Sequence, residues 1–349
     1  MGPTMHDVAR VAGVSIKTVS NVINDYPHVR PGTRDRVNEA IVQLDYRPNL
    51  SARGLRSGRT GVIGLAVPSL RENYFAELAD EVIRAAEKRG LGVMVEQTSG
   101  DRETELRAVS RSRPRFLDGM LFSPVSLGQE DADALSVDAP LVLLGERIFD
   151  GPTDHVTMHN TSSAQAAVEH LLSIGRRRIA LIGADHEDDD EASSASLRLK
   201  GYRRALEQAG IEQDPALVRH MSMKQWNRAG GASATHEMVR DGVEFDAVFT
   251  LNDTLGLGVL RALREEGLRV PDDVAVIGFD NIDESKYSVP SMSTVDTGRA
   301  QIASIAVDRL LERITEKGER RKPETFKPPF RIIARESTGF PDADDPDGA

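Results

Sequence analysis

The sequence predicts an α/β protein: a small all-helical unit, a short linker, and a larger body of two tandem lobes, each built on a parallel sheet. Three observations carry that expectation. Up to about residue 46 the apolar residues recur with the period of short helices. From Gly61 onward short apolar runs alternate with amphipathic stretches, as in open parallel sheets covered by helices. That alternation then runs a second time, beginning near residue 162.

In "HDVARVAGVSIKTVSNVIND" the positions Val8, Ala9, Val11 and Ala12 fit a short helix. Gly13 supplies the positive φ of a sharp turn. Ser15 is suited to cap a second helix, Ile16 to Ile23, with Val19, Val22 and Ile23 facing inward. A third helix is expected with Thr33 as its cap, because Val37, Ala40, Ile41 and Leu44 fall at i, i+3, i+4 and i+7. Two short helices about a glycine turn form a helix-turn-helix. Its second helix carries the polar residues Lys17, Thr18, Ser20, Asn21 and Asn24; asparagine and lysine suit base edges, serine and threonine suit phosphates.

Charge supports a polyanionic partner for this end alone. The chain has a formal net charge of −11, yet residues 1–60 are net +4 and the remainder −15. A basic end on an acidic body is the asymmetry of a protein in which one module faces nucleic acid. The linker "RPNLSARGLRSGRT", residues 47–60, holds four arginines and no acid. Its helix formers are interrupted by Pro48, Gly54 and Gly58, so a helix over residues 49–57 is shorter than the roughly 12 to 15 residues that marginal helicity in water requires.

In the body, "GVIGLAVP", "LGVMVEQT", "DGMLFSP" and "PLVLLGE" read as strands, and "YFAELADEVIRAAEKRG" as a helix ended by glycine. The second series has strands at Ile179–Ile182, "FDAVFTLND" and "DVAVIGFD", with helices "LKGYRRALEQAG" and "LGLGVLRALREEG" between them. Ligands of such sheets bind beyond the carboxyl ends of the strands. The candidates there are Tyr74, Phe75, Ser123, Arg198, Trp226, Asn252, Asp253 and Asp280: charged and amide groups for multi-point hydrogen bonding, aromatic faces for a sugar or base. Each has a bland alternative, such as a helix cap for Asn252 or Asp280 and ordinary packing for Tyr74 and Phe75. The loop "DHEDDDEASS", residues 185–194, reads either as a solvated loop or as a cleft rim that disfavours anionic effectors.

"DVARVAGVSIKTVSNVIN" followed by "RPNLSARGLRSGRTGVIGLAVP" resembles the N-terminus of the lactose-repressor (LacI/GalR) family of bacterial transcription regulators, and the resemblance extends over residues 5–340. It implies a DNA-binding domain at 1–46, a hinge helix at 47–60 and an effector-binding, dimerising core at 61–340 with the periplasmic-binding-protein-like fold. The lobes would comprise about 61–161 with 296–325, and about 162–295 with 326–340. Ile16, Lys17 and Asn21 take base-reading positions, Thr18 and Ser20 face DNA, and Ser15, Asn24 and Asn49 complete that set. Leu55 becomes a minor-groove wedge flanked by Arg53 and Arg56. Arg198, Asn252 and Asp280 match effector contacts, and Trp226 a wall of the pocket. The chain departs from the pattern at Asn21, where arginine is frequent, and at Thr297-Gly298, where a ligand-contacting side chain is frequent at the first position and proline at the second.

Function follows as an expectation: a repressor whose affinity for a near-palindromic operator responds to a small molecule, first a sugar and second a nucleobase or nucleoside. A homodimer is expected, since one module grips one half-site weakly. The tail 341–349 has no apolar heptad and is expected to be disordered. No phosphate loop, nucleophile elbow or HExxH motif points to an enzyme, and no cofactor or metal is called for. A stand-alone sugar-binding protein would not need the first sixty residues. No cysteine occurs and no signal-peptide core is present, so a cytoplasmic location is expected.

Overall fold

The computed structural model describes residues 3–23, 26–46, 59–111, 116–185 and 193–341. The chain divides into two compact units, 1–61 and 62–349. The hinge residues Asn49, Arg53, Leu55 and Arg56, Asn24, the acidic run 186–192 and the tail from 342 lie outside the described residues.

In the first unit α1 (Met5–Ala12) opens with a capping box: Thr4 and Asp7 each satisfy the other's backbone N–H. Gly13, at φ 64°, ends it. The turn leads to α2 (Ile16–Ile23), where Ser15 Oγ accepts from the Thr18 N–H at 3.1 Å. The third helix, α3 (Pro31–Gln43), begins two residues before the expected cap: Arg30 is the N-cap and Thr33 lies inside the first turn. Proline at N1 explains the earlier start, because its fixed φ suits a helix and its missing N–H costs nothing there. Val8, Ala9, Ala12, Val19, Val22, Val37 and Ala40 form the core, closed by Tyr46.

The second unit holds two parallel sheets. The first joins β1 (Val62–Val67), β2 (Gly92–Gln97), β3 (Met120–Phe122), β4 (Leu141–Leu144), β5 (Asp154–Val156) and β11 (Thr325–Phe326) in the order β11-β5-β4-β3-β1-β2. The second joins β6 (Ile179–Ala184), β7 (Val218–His220), β8 (Ala247–Thr250) and β9 (Ala275–Ile277) as β7-β6-β8-β9. Strands β1, β4, β6 and β8 are buried almost throughout, as strands covered on both faces must be. The helices are α4 (Asn73–Glu87), α5 (Arg102–Arg111), α6 (Asn160–Ser173), α7 (Ser194–Gln208), α8 (Arg228–Arg240), α9 (Asp253–Glu265), α10 (Asp283–Tyr287) and α11 (Arg299–Thr315).

The chain passes between the lobes repeatedly. A two-stranded antiparallel pair, β10 (Thr294–Asp296) with β12 (Arg331–Ile333), attaches beside β9 through the Ile277–Ser293 bridge. Phe326 pairs with Val156 in the first sheet, so the return to the second lobe starts after Phe326 and not at it. The β11 register is held by buried Arg313, whose guanidinium clamps Asp154 through Nε (2.8 Å) and Nη2 (2.6 Å) while Asp154 accepts from the Glu324 N–H. No helix among the described residues is long and apolar enough to cross a membrane.

Candidate functional site

On α2, Lys17 is exposed, while Thr18, Ser20 and Asn21 are half-exposed on the same helix. Val19 and Val22 fill the core from the opposite side, which fixes the polar residues outward. Ile16 packs partly against that core, so only part of its surface is open to a partner. Ser15 is occupied as a cap and also bonds the Thr18 hydroxyl at 2.8 Å.

In the second unit the carboxyl ends of both sheets converge on a cavity of about 220 Å³. Beyond β1 it is lined by Glu72, Tyr74 and Phe75; beyond β3 by Ser123; beyond β4 by Glu146 and Arg147; beyond β5 by Thr157 and Met158. The other lobe contributes Asp185, Ser193, Arg198, Trp226, Asn252 and Asp280. Seven of the nine expected effector residues therefore meet in one place.

Two do not. Asp253 is fully buried behind the wall, where it accepts from Thr294 Oγ1 (2.6 Å), Ser285 Oγ (2.7 Å) and the Ile282 N–H (3.0 Å). Its carboxylate ties β10 and α10 together and has no path to a ligand. Thr297 is buried beside the wall and not in it, because Gly298 turns the chain away at φ 73° to start α11. That φ also explains the absence of proline at 298, whose ring fixes φ near −65°. Phe75 lines the cavity but is mainly a core residue, packed edge-on against Tyr74 with centroids 5.2 Å apart.

Arg198 organises the second lobe's wall. Its Nε donates to Asn160 Oδ1 at 2.9 Å, Nη1 to the Leu251 carbonyl, and Nη2 approaches Asp280 Oδ1 at 3.7 Å. The guanidinium carbon lies 3.6 Å from the Phe279 ring centroid, a close cation–π arrangement. Burial raises the Asp280 carboxyl to about 8 against the pull of Arg198, helped by the nearby Asp253 charge. Burial likewise raises Tyr74. Asn252 caps α9 through Oδ1, accepting from the Leu255 N–H at 2.8 Å. The Trp226 indole N–H and the Thr157 hydroxyl are buried in the lining without a hydrogen-bond partner among the described residues. Unpaired buried donors of this kind are costly unless a ligand or water completes them.

Glu72, Glu146, Arg147 and Asn160 are participants that the sequence reading passed over, whereas Asp185 is the first residue of the acidic loop read as a possible cleft rim. Glu146 and Arg147 follow the "PLVLL" strand after Gly145, so the strand-end rule that selected Ser123 could have found them. Asn160 had no such signal: it starts α6, and its two amide atoms join Glu146 (3.3 Å) to Arg198 across the lobes. At the cleft mouth Arg299 on α11 donates to Glu77 of α4 and to the Asp280 carbonyl at 2.9 Å. Asn73 and Arg228 both bond Glu284 there. A second hollow of about 400 Å³ lies beside Arg313, Arg320 and Arg321, but these guanidiniums are already engaged by Asp154, by main-chain carbonyls and by Glu312 and Glu316.

A helix-turn-helix unit followed by a two-lobed ligand-cleft body defines a DNA-binding transcriptional regulator. Residues 4–49 match the bacterial regulatory proteins of the lacI family, and residues 168–338 match the periplasmic binding protein-like domain. The ribose operon repressor of Escherichia coli (strain K12) is 31% identical over 315 residues, spanning 90% of this chain and 93% of the repressor. A solved LacI-family transcriptional regulator from Sanguibacter keddieii shares 47% identity at a TM-score of 0.75, over 81% of this chain and all of that one. The lac repressor dimer bound to operator and the anti-inducer ONPF aligns at a TM-score of 0.79 with 28% identity, over 97% of this chain and 99% of that one. The chain belongs to the lacI family of bacterial regulatory proteins.

Proposed function

We propose that this regulator is a repressor acting as a homodimer on a near-palindromic operator, with its affinity set by a sugar held between the lobes of the body. The observation that carries the effector reading is the convergence of Arg198, Asp280, Asn252, Tyr74 and Trp226 on one cavity at the carboxyl ends of both sheets. A sugar needs flat apolar walls and in-plane hydrogen bonding, and these residues offer both. The base-reading assignment of Lys17 and Asn21 rests on their outward position on α2 and on the family.

Exposed apolar residues support self-association of the body: Met94 on the edge strand β2, Tyr287 at the end of α10 and Val289 just after it are 53%, 71% and 84% exposed. Coupling between the sites is reciprocal, so operator DNA must change effector affinity by the factor by which effector changes operator affinity. The deciding experiment is a gel shift with genomic fragments, repeated with candidate sugars and nucleosides. Salt-sensitive, sequence-selective retardation altered by a sugar supports the reading; a response to nucleosides alone would replace the sugar by a nucleobase ligand.

A further inference from the structure

We propose that Arg299 is the positioning residue through which a ligand in the cleft sets lobe closure: from one lobe it holds both carbonyls of the strained Asp280–Asn281 turn in the other. The inference rests on the cavity being the effector site and adds the residue that reads it.

The backbone of that turn is unusual. Asp280 stands at φ 109° and Asn281 at φ 52°, two consecutive residues with side chains in the positive-φ region. Asn281 occupies the left-handed well that asparagine tolerates, but Asp280 lies well beyond it. Such a conformation persists only where its surroundings over-determine it, and it marks a segment able to relax to a second state.

Every main-chain polar group of the pair is held. The Asp280 N–H donates to the Val295 carbonyl at 2.9 Å and the Asn281 N–H to Thr294 Oγ1 at 3.2 Å, both on β10 of the second lobe. The carbonyls are held from the first lobe by one side chain: Arg299 donates from Nη1 to Asp280 at 2.9 Å and from Nη2 to Asn281 at 3.3 Å. Arg299 heads α11, which packs on α4 and on β3, β4 and β5 of the first sheet. Its guanidinium also pairs with Glu77 of α4, and Glu77 accepts the Asp283 N–H at 3.1 Å. Arg299 Nε has no hydrogen-bond partner among the described residues, so the Nη contacts alone set its placement. The Arg299 and Glu77 side chains are 16% and 25% exposed, so salt screens this grip less than the outer Arg228–Glu284 pair.

The same turn carries the Asp280 side chain into the cavity, and Ile302, three residues along α11, lines it from the other side. A ligand that fits Asp280 as it stands selects the strained turn and keeps both carbonyls on Arg299, which holds the lobes together. Relaxation of the turn swings the carbonyls away and releases the first lobe.

The test uses the full-length protein and first reads closure without a ligand. Trp226 is the only tryptophan and lines the cavity, so acrylamide quenching of its fluorescence follows opening of the cleft. Arg299→Gln should raise the quenching constant about twofold or more over wild type. Arg299→Lys should behave like the glutamine variant, because an ammonium can pair with Glu77 but cannot span two carbonyls as a planar fork does. Should neither variant fold, Glu77→Gln, which removes only the anchor of the fork, is expected to shift quenching in the same direction. Unchanged quenching in the folded variants, or full restoration by lysine, would overturn the proposal. The second readout is operator retardation with D-ribose, D-glucose, D-galactose and adenosine as probes. A probe that changes wild-type retardation should change that of Arg299→Gln about tenfold less, and an equal response would overturn the proposal. Raised quenching in the variant together with a wild type that answers adenosine but no sugar would sustain the role of Arg299 and overturn the sugar reading alone.

Discussion

Arg198 and Asp280 face each other from α7 and the end of β9, Nη2 to Oδ1 at 3.7 Å, with side chains only 4% and 8% exposed. Arg198 also holds Asn160 and so reaches Glu146 in the other lobe. Replacing Arg198 by alanine strands the Leu251 carbonyl and Asn160 and removes the stacking on Phe279. Leaving these buried acceptors unpaired costs about 1 to 3 kcal/mol each. The expected outcome is a body that unfolds several degrees earlier, retains operator binding at low temperature, and no longer responds to effector. Arg198→Lys should not restore the response, because an ammonium cannot reproduce the planar fork. A full effector response in either variant would remove Arg198 from the ligand wall.

Asp280 and Asp253 titrate in a telling direction. Their carboxyls rise from the ordinary 3.8 to about 8 and about 6, both chiefly through burial. The folded state therefore holds protons that the unfolded chain releases near pH 4. Their favourable contribution is complete below about pH 4 and is lost as pH climbs through 6 and then 8. Arg198, Asp253, Arg299 and Glu146 surround Asp280 and set its balance. Denaturant unfolding at pH 5, 6.5 and 8 should show this decline, and Asp280→Asn should flatten its upper part. A wild-type profile rising from pH 6.5 to 8 would contradict the assignment.

Gly298 carries a backbone demand that no other residue type meets well. It stands at φ 73° as the N-cap of α11, and a Cβ there would lie 2.8 Å from the Pro329 carbonyl oxygen. Gly298→Ala should lower stability by about 2 kcal/mol, combining left-handed strain with the clash. Thermal unfolding checks this; a change below about 0.5 kcal/mol would show that the crossover segment yields without cost.

The parts of this fold that were legible in the sequence are those where burial imposes a period. Val8, Val19 and Val37 announce the three-helix core, and "RIALIGA" or "FDAVFT" announce strands covered on both faces. The site was legible where a strand ends in a distinctive side chain, as at Arg198's neighbours Asn252 and Asp280. Asp253 was misplaced because adjacency in "TLND" says nothing about direction: Asn252 faces the cavity and Asp253, as the first residue of α9, faces the core. Asn160 and Glu146 are joined by tertiary geometry alone. The pair β10 and β12 escaped notice because three-residue strands, far apart in sequence, carry no period. Proline fixed the start of α3 against a capping threonine two residues later, a competition that composition at Thr33 could not reveal.

The cleft mouth offers the last prediction. Glu284 in the second lobe bonds Asn73 at the start of α4 and pairs with Arg228 at 3.3 Å, while Arg228 itself reaches Asn73 Oδ1 at 3.5 Å. This triangle spans the lobes and forms only when they approach, so it favours the closed cleft. Arg228 and Glu284 are 52% and 41% exposed, which limits the pair to well under 1 kcal/mol and makes it sensitive to salt. Arg228→Ala should therefore weaken effector binding by about two- to fourfold at low ionic strength, with no change in the fold. At 0.5 M salt the wild type should converge on the variant, since screening does there what the substitution does. Titrations of both proteins at the two salt concentrations measure this directly. A variant that binds effector more weakly by the same factor at both would show that Arg228 acts through packing and not through its charge.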